Sequence, residues 1–526
     1  MADNTPWHVK DVNQRNKVIS LDPKEDLYMS MQDIPLIFPS EREEPLVDLK
    51  GPLPDESGVG HGTEFFGRII STYPVNSVTE QREGDPICDA FGFQRYDDGC
   101  TIMCVADGCN WGDRPREAAQ RARDCFMRYM KNRRHKFCST QELGHYLLRS
   151  FAKVQEAIMA GKESPQEAGT TTLVGGVIVP VDMAQVHKYC KSQRKQKNIS
   201  PVIHIGRRGR KDTTQKWLFM CASVGDCKAF RCNTKQKTLE DICMYFHNGS
   251  ELKNNRSHND PGGRLGAYIG GEPDLRNLRV YASEFSPGDH LVMTSDGVYD
   301  NLDARHLGVE PQDIKGLEEY GDDWYKLPGS KKTHQLAWNW LVNNFFKILD
   351  DGVETAEGKK AGDGAEKYSP EYISETLVAH ALKTTETSRK FMREFPHKRL
   401  PKDYKTYQGK MDHTTCIVFK LPQDYVKTRV SVRERGIGEG VQTGGGSDKV
   451  ISKTKSATSS NNMEGCLSKS QNKSESDLSN MALEYRIKDH WPSSDDGPST
   501  AVILGLETMD PAEQSVEDKV AAGSCA

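Results

Sequence analysis

Long apolar runs are missing from this chain: nowhere do roughly 18 apolar residues stand together, the length a membrane-spanning helix needs. The chain opens Met-Ala-Asp-Asn-Thr-Pro, with no basic stretch leading into an apolar one, so passage through the usual secretory route is not expected. Ala2 offers no glycine for myristoylation and Cys525 is second from the end, so neither N-myristoylation nor CaaX prenylation is expected. An excess of either charge is also lacking. Lys plus Arg number 71 against 75 Asp plus Glu, a net charge of -4 with a pI near 6.5, and this balance argues against bulk nucleic-acid binding. The 14 cysteines include neither a Cys-x-x-Cys pair nor zinc-type spacing. Several lie inside apolar runs, as Cys104, Cys221 and Cys416 do, which fits reduced thiols in the cytoplasm or nucleus.

What is present divides into three parts. Residues 1–60 mix charge with Pro39, Pro45, Pro52 and Pro54 and read as an extended arm, with Pro35 to Pro39 as a short docking element. Residues 61–426 carry the strand and helix patterns of one domain. Residues 427–526 are rich in Ser, Gly and Lys and read as a disordered tail, in which Met481 to Trp491 and Ala501 to Met509 are candidate short partner-binding motifs. Two insertions interrupt the domain: a basic one at 187–216, containing Lys191, Arg194, Arg207 and Arg208, and a helical one at 303–410. The basic stretch is either a solvated loop or a localisation or phosphoprotein-docking patch.

Within the domain, Ser139-Thr140-Gln141-Glu142 is a capping-box pattern, followed by Leu143, Leu147, Phe151, Val154 and Ile158 at helical spacing. Asp113 and Pro115 start another helix, and further helices are predicted over Thr333 to Leu349 and Pro370 to about Phe391. Apolar strands are predicted near Gly67 to Thr72, Ala90 to Tyr96, Thr101 to Ala106, Thr170 to Val179, Trp217 to Val224, Leu291 to Thr294 and Thr415 to Phe419. Gly58 to Gly62 resembles a phosphate-cradling loop, but without a preceding strand it reads as a flexible linker.

Several of these strands end in carboxylates. Asp107 closes one, Asp226 another, and Asp296 and Asp300 follow a third, while Asp412 opens the last. Asp-Gly alone is ordinary turn chemistry. Taken together, carboxylates spread over about 300 residues yet repeatedly set at strand ends fit a centre for hard divalent ions, which prefer oxygen donors.

The ordered set Asp89-Ala90-Phe91, Val105-Ala106-Asp107-Gly108, Gly169-Thr170-Thr171, Val224-Gly225-Asp226, Ser295-Asp296-Gly297-Val298-Tyr299-Asp300 and Asp412-His413-Thr414-Thr415 resembles the metal-dependent protein phosphatases of the 2C family. Gly262-Gly263-Arg264-Leu265-Gly266 also stands where that family has a glycine-arginine stretch. The resemblance implies an α+β fold, a four-layer α-β-β-α sandwich of two antiparallel sheets flanked by helices. It implies two Mg or Mn ions held by Asp89, Asp107, the Gly108 carbonyl, Asp296 and Asp412, with Asp226 and Asp300 joining Asp296 at a weaker third site. A metal-activated water would then hydrolyse phosphoserine or phosphothreonine in a phosphoprotein substrate without a covalent phosphoenzyme. Neither a nucleic-acid nor a membrane partner is implied.

The chain departs from the family pattern in four places. Cys109 replaces the histidine that would protonate the leaving group, which weakens an effect typically worth about 10²- to 10⁴-fold. As a nucleophile Cys109 would need a nearby base and a lowered pKa, and no cysteine-enzyme signature surrounds it. Gly84 holds the place of the phosphate-binding arginine, leaving Arg82 as the displaced candidate, and Cys88 and His413 replace an acidic residue and an asparagine. The expected function is therefore a serine/threonine phosphoprotein phosphatase, the alternative a catalytically impaired pseudophosphatase that serves as a binding or scaffold module.

Overall fold

Alternating apolar residues build two sheets, because successive strand side chains point to opposite faces. In the computed structural model the strands, in chain order, are β1 (Val47–Gly51), β2 (Val59–His61), β3 (Phe65–Ser71), β4 (Asp89–Arg95), β5 (Thr101–Gly108), β6 (Thr170–Val181), β7 (Lys216–Val224), β8 (Lys228–Asn233), β9 (Thr238–Asp241), β10 (Arg264–Ile269), β11 (Glu272–Asp274), β12 (Arg279–Phe285), β13 (His290–Thr294) and β14 (His413–Lys420). The helices are α1 (Asp113–Arg133), α2 (Thr140–Met159), the single-turn α3 (Asp296–Tyr299), α4 (Lys331–Asp351), α5 (Pro370–Thr384) and α6 (Glu386–Glu394). The structure describes residue 36 and residues 44–181, 216–243, 260–269, 271–328, 330–355 and 358–422. The arm before residue 36, the basic insertion except for Lys216, and the tail from 427 with both its motifs lie outside the described residues.

One sheet of eight strands runs β12-β7-β6-β5-β4-β1, with β10 and β11 added beside the start of β6. The other, of six, runs β2-β3-β14-β13-β8-β9. Every strand pairing in both is antiparallel. Along β5, Ile102, Cys104 and Ala106 face α1 and α2, where they meet Phe126, Leu147 and Phe151. Met103 and Val105 face the opposite way, into a core between the sheets shared with Phe65, Phe93, Ile417 and Phe419. Beyond the second sheet, Val292, Cys416 and Val418 pack on Phe345, Leu349 and Leu377 of α4 and α5. The result is the α-β-β-α sandwich expected from the sequence.

At the centre of the first sheet β6 carries Gly175 and Gly176. A Cβ on Gly175 would lie 2.6 Å from the Phe126 ring, and one on Gly176 would lie 2.5 Å from the Phe219 ring. The missing side chains thus let aromatic rings settle onto the strand from both sides. Ser139 caps α2 by accepting from the Glu142 amide at 3.3 Å, while Glu142 accepts from the Cys138 amide rather than from that of Ser139 itself.

Three boundaries differ from the sequence reading. The domain begins before residue 60, because β1 pairs with β4 and turns Val47 and Gly51 inward. Gly58 to Gly62 holds an edge strand paired with β3, and Gly58 packs against the Phe66 ring, so it neither cradles phosphate nor links freely. The helix expected over 370–391 breaks at Thr385, whose hydroxyl donates back to the Ala381 carbonyl at 2.8 Å and competes with the helical ladder. Leu36 is buried against the first helix layer, and its amide donates to the Cys138 carbonyl at 2.9 Å.

Phe93 stacks on Phe65 at 3.9 Å between the sheets and is 1% exposed. Phe93→Ala is expected to cost about 3–5 kcal/mol, read as a lower urea midpoint at unchanged slope.

Candidate metal centre

Strand register brings the first two aspartates face to face, with Asp89 at the start of β4 opposite Asp107 near the end of β5. At the same end of the sandwich, β13 finishes at Thr294 and delivers Asp296 as the first residue of α3, while Asp412 immediately precedes β14. β7 ends at Val224, and Gly225 turns the chain toward Asp226 with φ +97°, a conformation that favours glycine. Asn277 fixes that turn, accepting from the Gly225 amide at 2.9 Å and donating to its carbonyl at 2.8 Å. Gly108 is needed for a different reason: a Cβ there would lie 2.6 Å from the Pro115 carbonyl oxygen at the start of α1.

Carboxylate oxygens of Asp107, Asp226 and Asp296 lie within 4.8 Å of one another. That spread suits oxygens arranged around one hard ion, whose bonds run about 2.0–2.6 Å. Asp89 Oδ1 and Asp296 Oδ1 are buried with no hydrogen-bond partner, and Asp89 is fully buried. A buried carboxylate oxygen left this way is costly unless a cation or proton meets it. The donor set therefore fits a hard divalent ion.

Without a metal the cluster favours protons. Burial, with Asp296 nearby, pushes the Asp89 carboxyl up to about 7 against the pull of hydrogen bonds from Thr415 and Ser295. Burial and then Asp296 also push Asp226 up to about 7, while Lys410 opposes the rise. Asp107 is held well above its ordinary range by burial and then by Asp89, Asp296, Asp412 and Asp226. The Thr415 hydroxyl donates to Asp89 Oδ2 at 2.5 Å, and Thr171 donates to the Asp107 carbonyl at 2.8 Å.

One cation is already inside. Lys410 Nζ contacts Asp296 Oδ2 and lies 3.0 Å from Asp300 Oδ2 and 3.2 Å from Asp412 Oδ2. Burial opposes its charge, yet Asp296, Asp300, Asp412 and Asp226 outweigh that and hold its pKa well above the ordinary lysine value. This explains a difference from the set implied by the resemblance. Asp226 joins Asp107 and Asp296 in the close group, while Asp412 and Asp300 pair with Lys410, which also contacts Asp296, and Asp89 accepts from Thr415.

The residues in place of the family's catalytic side chains surround this cluster. Burial pushes the Cys109 thiol up to about 11, with partial opposition from Arg264 and a hydrogen bond to Thr170. Arg264, from the glycine-arginine stretch, lies under the Tyr268 ring at 4.5 Å with its Nε buried and unpartnered. Arg82 forms an ion pair with Glu56, and its charge reaches His413. His413 Nδ1 accepts from the Cys88 amide at 3.3 Å, and its ring lies edge-on to Tyr73 at 5.7 Å. Burial holds its pKa down at about 4, so His413 is neutral near pH 7. Sequence reasoning missed Lys410 and Asn277, and it named Thr415 only as the end of the Asp412 motif and the start of its strand, without a role. Lys410 left a local trace, as a cation two residues before a motif aspartate.

No family model matches the chain. Among curated proteins, the PP2C-like domain-containing protein CG9801 of Drosophila melanogaster is 27% identical over 246 residues, covering 45% of this chain and 29% of that protein. The chain thus spans less than a third of the length of the relative it matches. Among solved structures, the photosystem II phosphatase PBCP is 15% identical, with 68% of this chain and 99% of that one covered at a TM-score of 0.34. Stp1, a serine/threonine phosphatase from Staphylococcus aureus, is 13% identical over 69% and 97% of the two chains, with a TM-score of 0.34. A phosphatase from a pathogenic strain of Toxoplasma gondii is 11% identical over 69% and 94%, with a TM-score of 0.35. TM-scores this low add nothing to the reading of the site. Over the matched residues the chain is thus similar to a PP2C-like domain-containing protein, and its paired antiparallel sheets carry the motif order read from the sequence.

Proposed function

We propose that this chain is a metal-dependent serine/threonine phosphoprotein phosphatase that hydrolyses phosphomonoesters at the Asp107–Asp226–Asp296 cluster. The observation that carries the reading is the gathering of these carboxylates from three distant segments, beside buried carboxylate oxygens that have no partner. All the donors are hard oxygens, which suits Mg or Mn rather than softer ions. Such an ion supplies a lowered water pKa and charge stabilisation on phosphoryl oxygens.

The chain's own residues then have distinct tasks. Asp107, Asp226 and Asp296 would hold the ion, and the Gly108 carbonyl, Asp89 and Asp412 would complete the set that the resemblance implies, with Asp300 at its periphery. Cys109 stays a thiol at neutral pH, since its pKa is pushed up to about 11. It is thus a weak proton donor and a poor nucleophile, which favours direct hydrolysis over a cysteinyl-phosphate route. Arg82 offers a fork for the phosphate oxygens, but only when it leaves Glu56.

A second reading, a phosphoprotein-binding module with impaired catalysis, draws on the same Arg82–Glu56 pair and on the lysine lodged among the acids. Hydrolysis decides between the two. Purified protein with Mn is expected to release phosphate from a phosphoserine or phosphothreonine peptide, and Asp107→Asn is expected to abolish that release. Equal rates for the two proteins would leave only the binding module standing.

Two further outcomes are expected. Cys109→His should raise kcat by on the order of 10²-fold, the scale of general-acid assistance, in single-turnover and steady-state assays alike. The second concerns pH. Asp89 and Asp226 have folded-state values raised from 3.8 to about 7, so the metal-free folded chain keeps protons that the unfolded chain releases. Their contribution to stability is greatest below about pH 4 and is lost as pH rises toward 7. An ion that needs ionised carboxylates gains affinity over the same window. The gain in Tm on replacing chelator with Mn is therefore expected to grow from about pH 5 to pH 8. A gain that stays flat across that range would contradict the assignment.

A further inference from the structure

We infer that Lys410 is a built-in cation that occupies the Asp300–Asp412 flank of the centre, so that this chain takes one divalent ion where the resemblance implies two. The inference rests on reading the aspartate cluster as a metal centre.

Three independent features of the structure carry it. The first is contact: one ammonium meets carboxylates of Asp296, Asp300 and Asp412, lying 3.0 and 3.2 Å from the latter two. Asp296 and Asp412 belong to the two-ion set that the resemblance implies and Asp300 to its weaker third site, and a dication bound to these oxygens would stand within a few ångströms of a fixed positive charge. An ammonium has three donors and no acceptor, so it can satisfy three carboxylate oxygens but cannot ligate a metal.

The second feature is that the lysine is placed by its backbone. Asn301, fully buried, accepts from the Lys410 amide at 3.1 Å and donates to the Lys410 carbonyl at 2.9 Å. The same Asn301 side chain donates to the Gly297 carbonyl of α3 at 2.7 Å, which ties Lys410 to the helix that begins at Asp296. Gly409 precedes it with φ +78°, and a Cβ there would lie 2.4 Å from Asn301 Oδ1. The Gly409 amide donates to the His306 carbonyl at 2.7 Å. A surface lysine that had merely folded inward would not need this clamp.

The third feature is what remains. Asp89 Oδ1 and Asp296 Oδ1 are buried without a partner, and Asp107 and Asp226, neither of which pairs with Lys410, stay grouped with Asp296. One unsatisfied oxygen is on Asp89, which Lys410 does not contact, and the other is Asp296 Oδ1, whereas Lys410 pairs with Oδ2 of that residue; these oxygens are enough for one ion.

Counting bound Mn tests this. The purified full-length chain is titrated with Mn alone, free ion being followed by its electron paramagnetic resonance signal, and bound metal is checked by equilibrium dialysis. Wild type is expected to bind one equivalent. Lys410→Met removes the charge at similar length and is expected to bind a second equivalent at least about tenfold more tightly than wild type does, the scale on which neighbours of a metal site tune affinity. Lys410→Arg keeps the charge and is expected to bind one. Two equivalents on the wild type overturn the inference whatever the variants do, including the case in which Lys410→Met fails to fold. One equivalent on both wild type and Lys410→Met also overturns it, while leaving the metal centre itself standing. A second equivalent on both Lys410→Met and Lys410→Arg shows that charge is not what excludes the ion, and overturns it too. No binding by any of the three removes the metal centre and the inference together.

Discussion

Repulsion among carboxylates crowded at one end of the sheet pair is the constraint to which the surrounding structure answers. Asp89, Asp107, Asp226, Asp296 and Asp412 come from segments far apart in sequence, and burial pushes Asp89, Asp107, Asp226 and Asp412 toward their neutral forms. Their convergence persists because cations and hydrogen bonds meet them. Lys410 meets Asp296 and Asp412 along with Asp300, Thr415 steadies Asp89, and a divalent ion suits the grouped Asp107, Asp226 and Asp296. Removing any one compensating group from such a network leaves unpaired buried charge, which is far more damaging than losing a surface contact.

The scaffold contributes placement rather than chemistry. Asn277 pins the Gly225 turn, Thr171 holds the Asp107 carbonyl, and Thr72 exchanges hydrogen bonds with the Asp412 backbone, its amide donating to the Asp412 carbonyl at 2.9 Å and its hydroxyl accepting from the Asp412 amide at 2.7 Å. These polar side chains are mostly buried and each acts on main chain. They fix the directions in which the aspartate side chains leave the sheets, so that the acids meet in one place although the two sheets share no strand.

The strands that carry the site were legible in the sequence for a physical reason. Thr101 to Ala106, Thr170 to Val179 and Leu291 to Thr294 are buried on both faces, one against helices and one against the other sheet, so they read as continuous apolar runs. β2, β9 and β11 are three or four residues long, and β1 alternates buried with exposed positions between prolines, so their patterns are too brief to stand out. The aspartates were visible through their spacing at strand ends. Their grouping was not, because the choice of Asp226 over Asp412 depends on where Lys410 points, and that is set by Asn301 more than 100 residues away. Arg82 illustrates the same limit: its place near the motif is local information, whereas its pairing with Glu56 is tertiary.

The bare strand β6 has a consequence that reaches past packing. Gly175 lies opposite Cys104 in the pairing of β5 with β6, and Asp107 lies opposite Thr172 three residues along the same ladder. With no side chain to yield at Gly175 and Gly176, any bulk added there must move Phe126, Phe219 or the strand itself. A stiff, hydrogen-bonded ladder passes such a shift along its length. The acids at its end are therefore geared to the aromatic seats at its middle, and a substitution chosen only to alter the core would also change how far apart the charges stand.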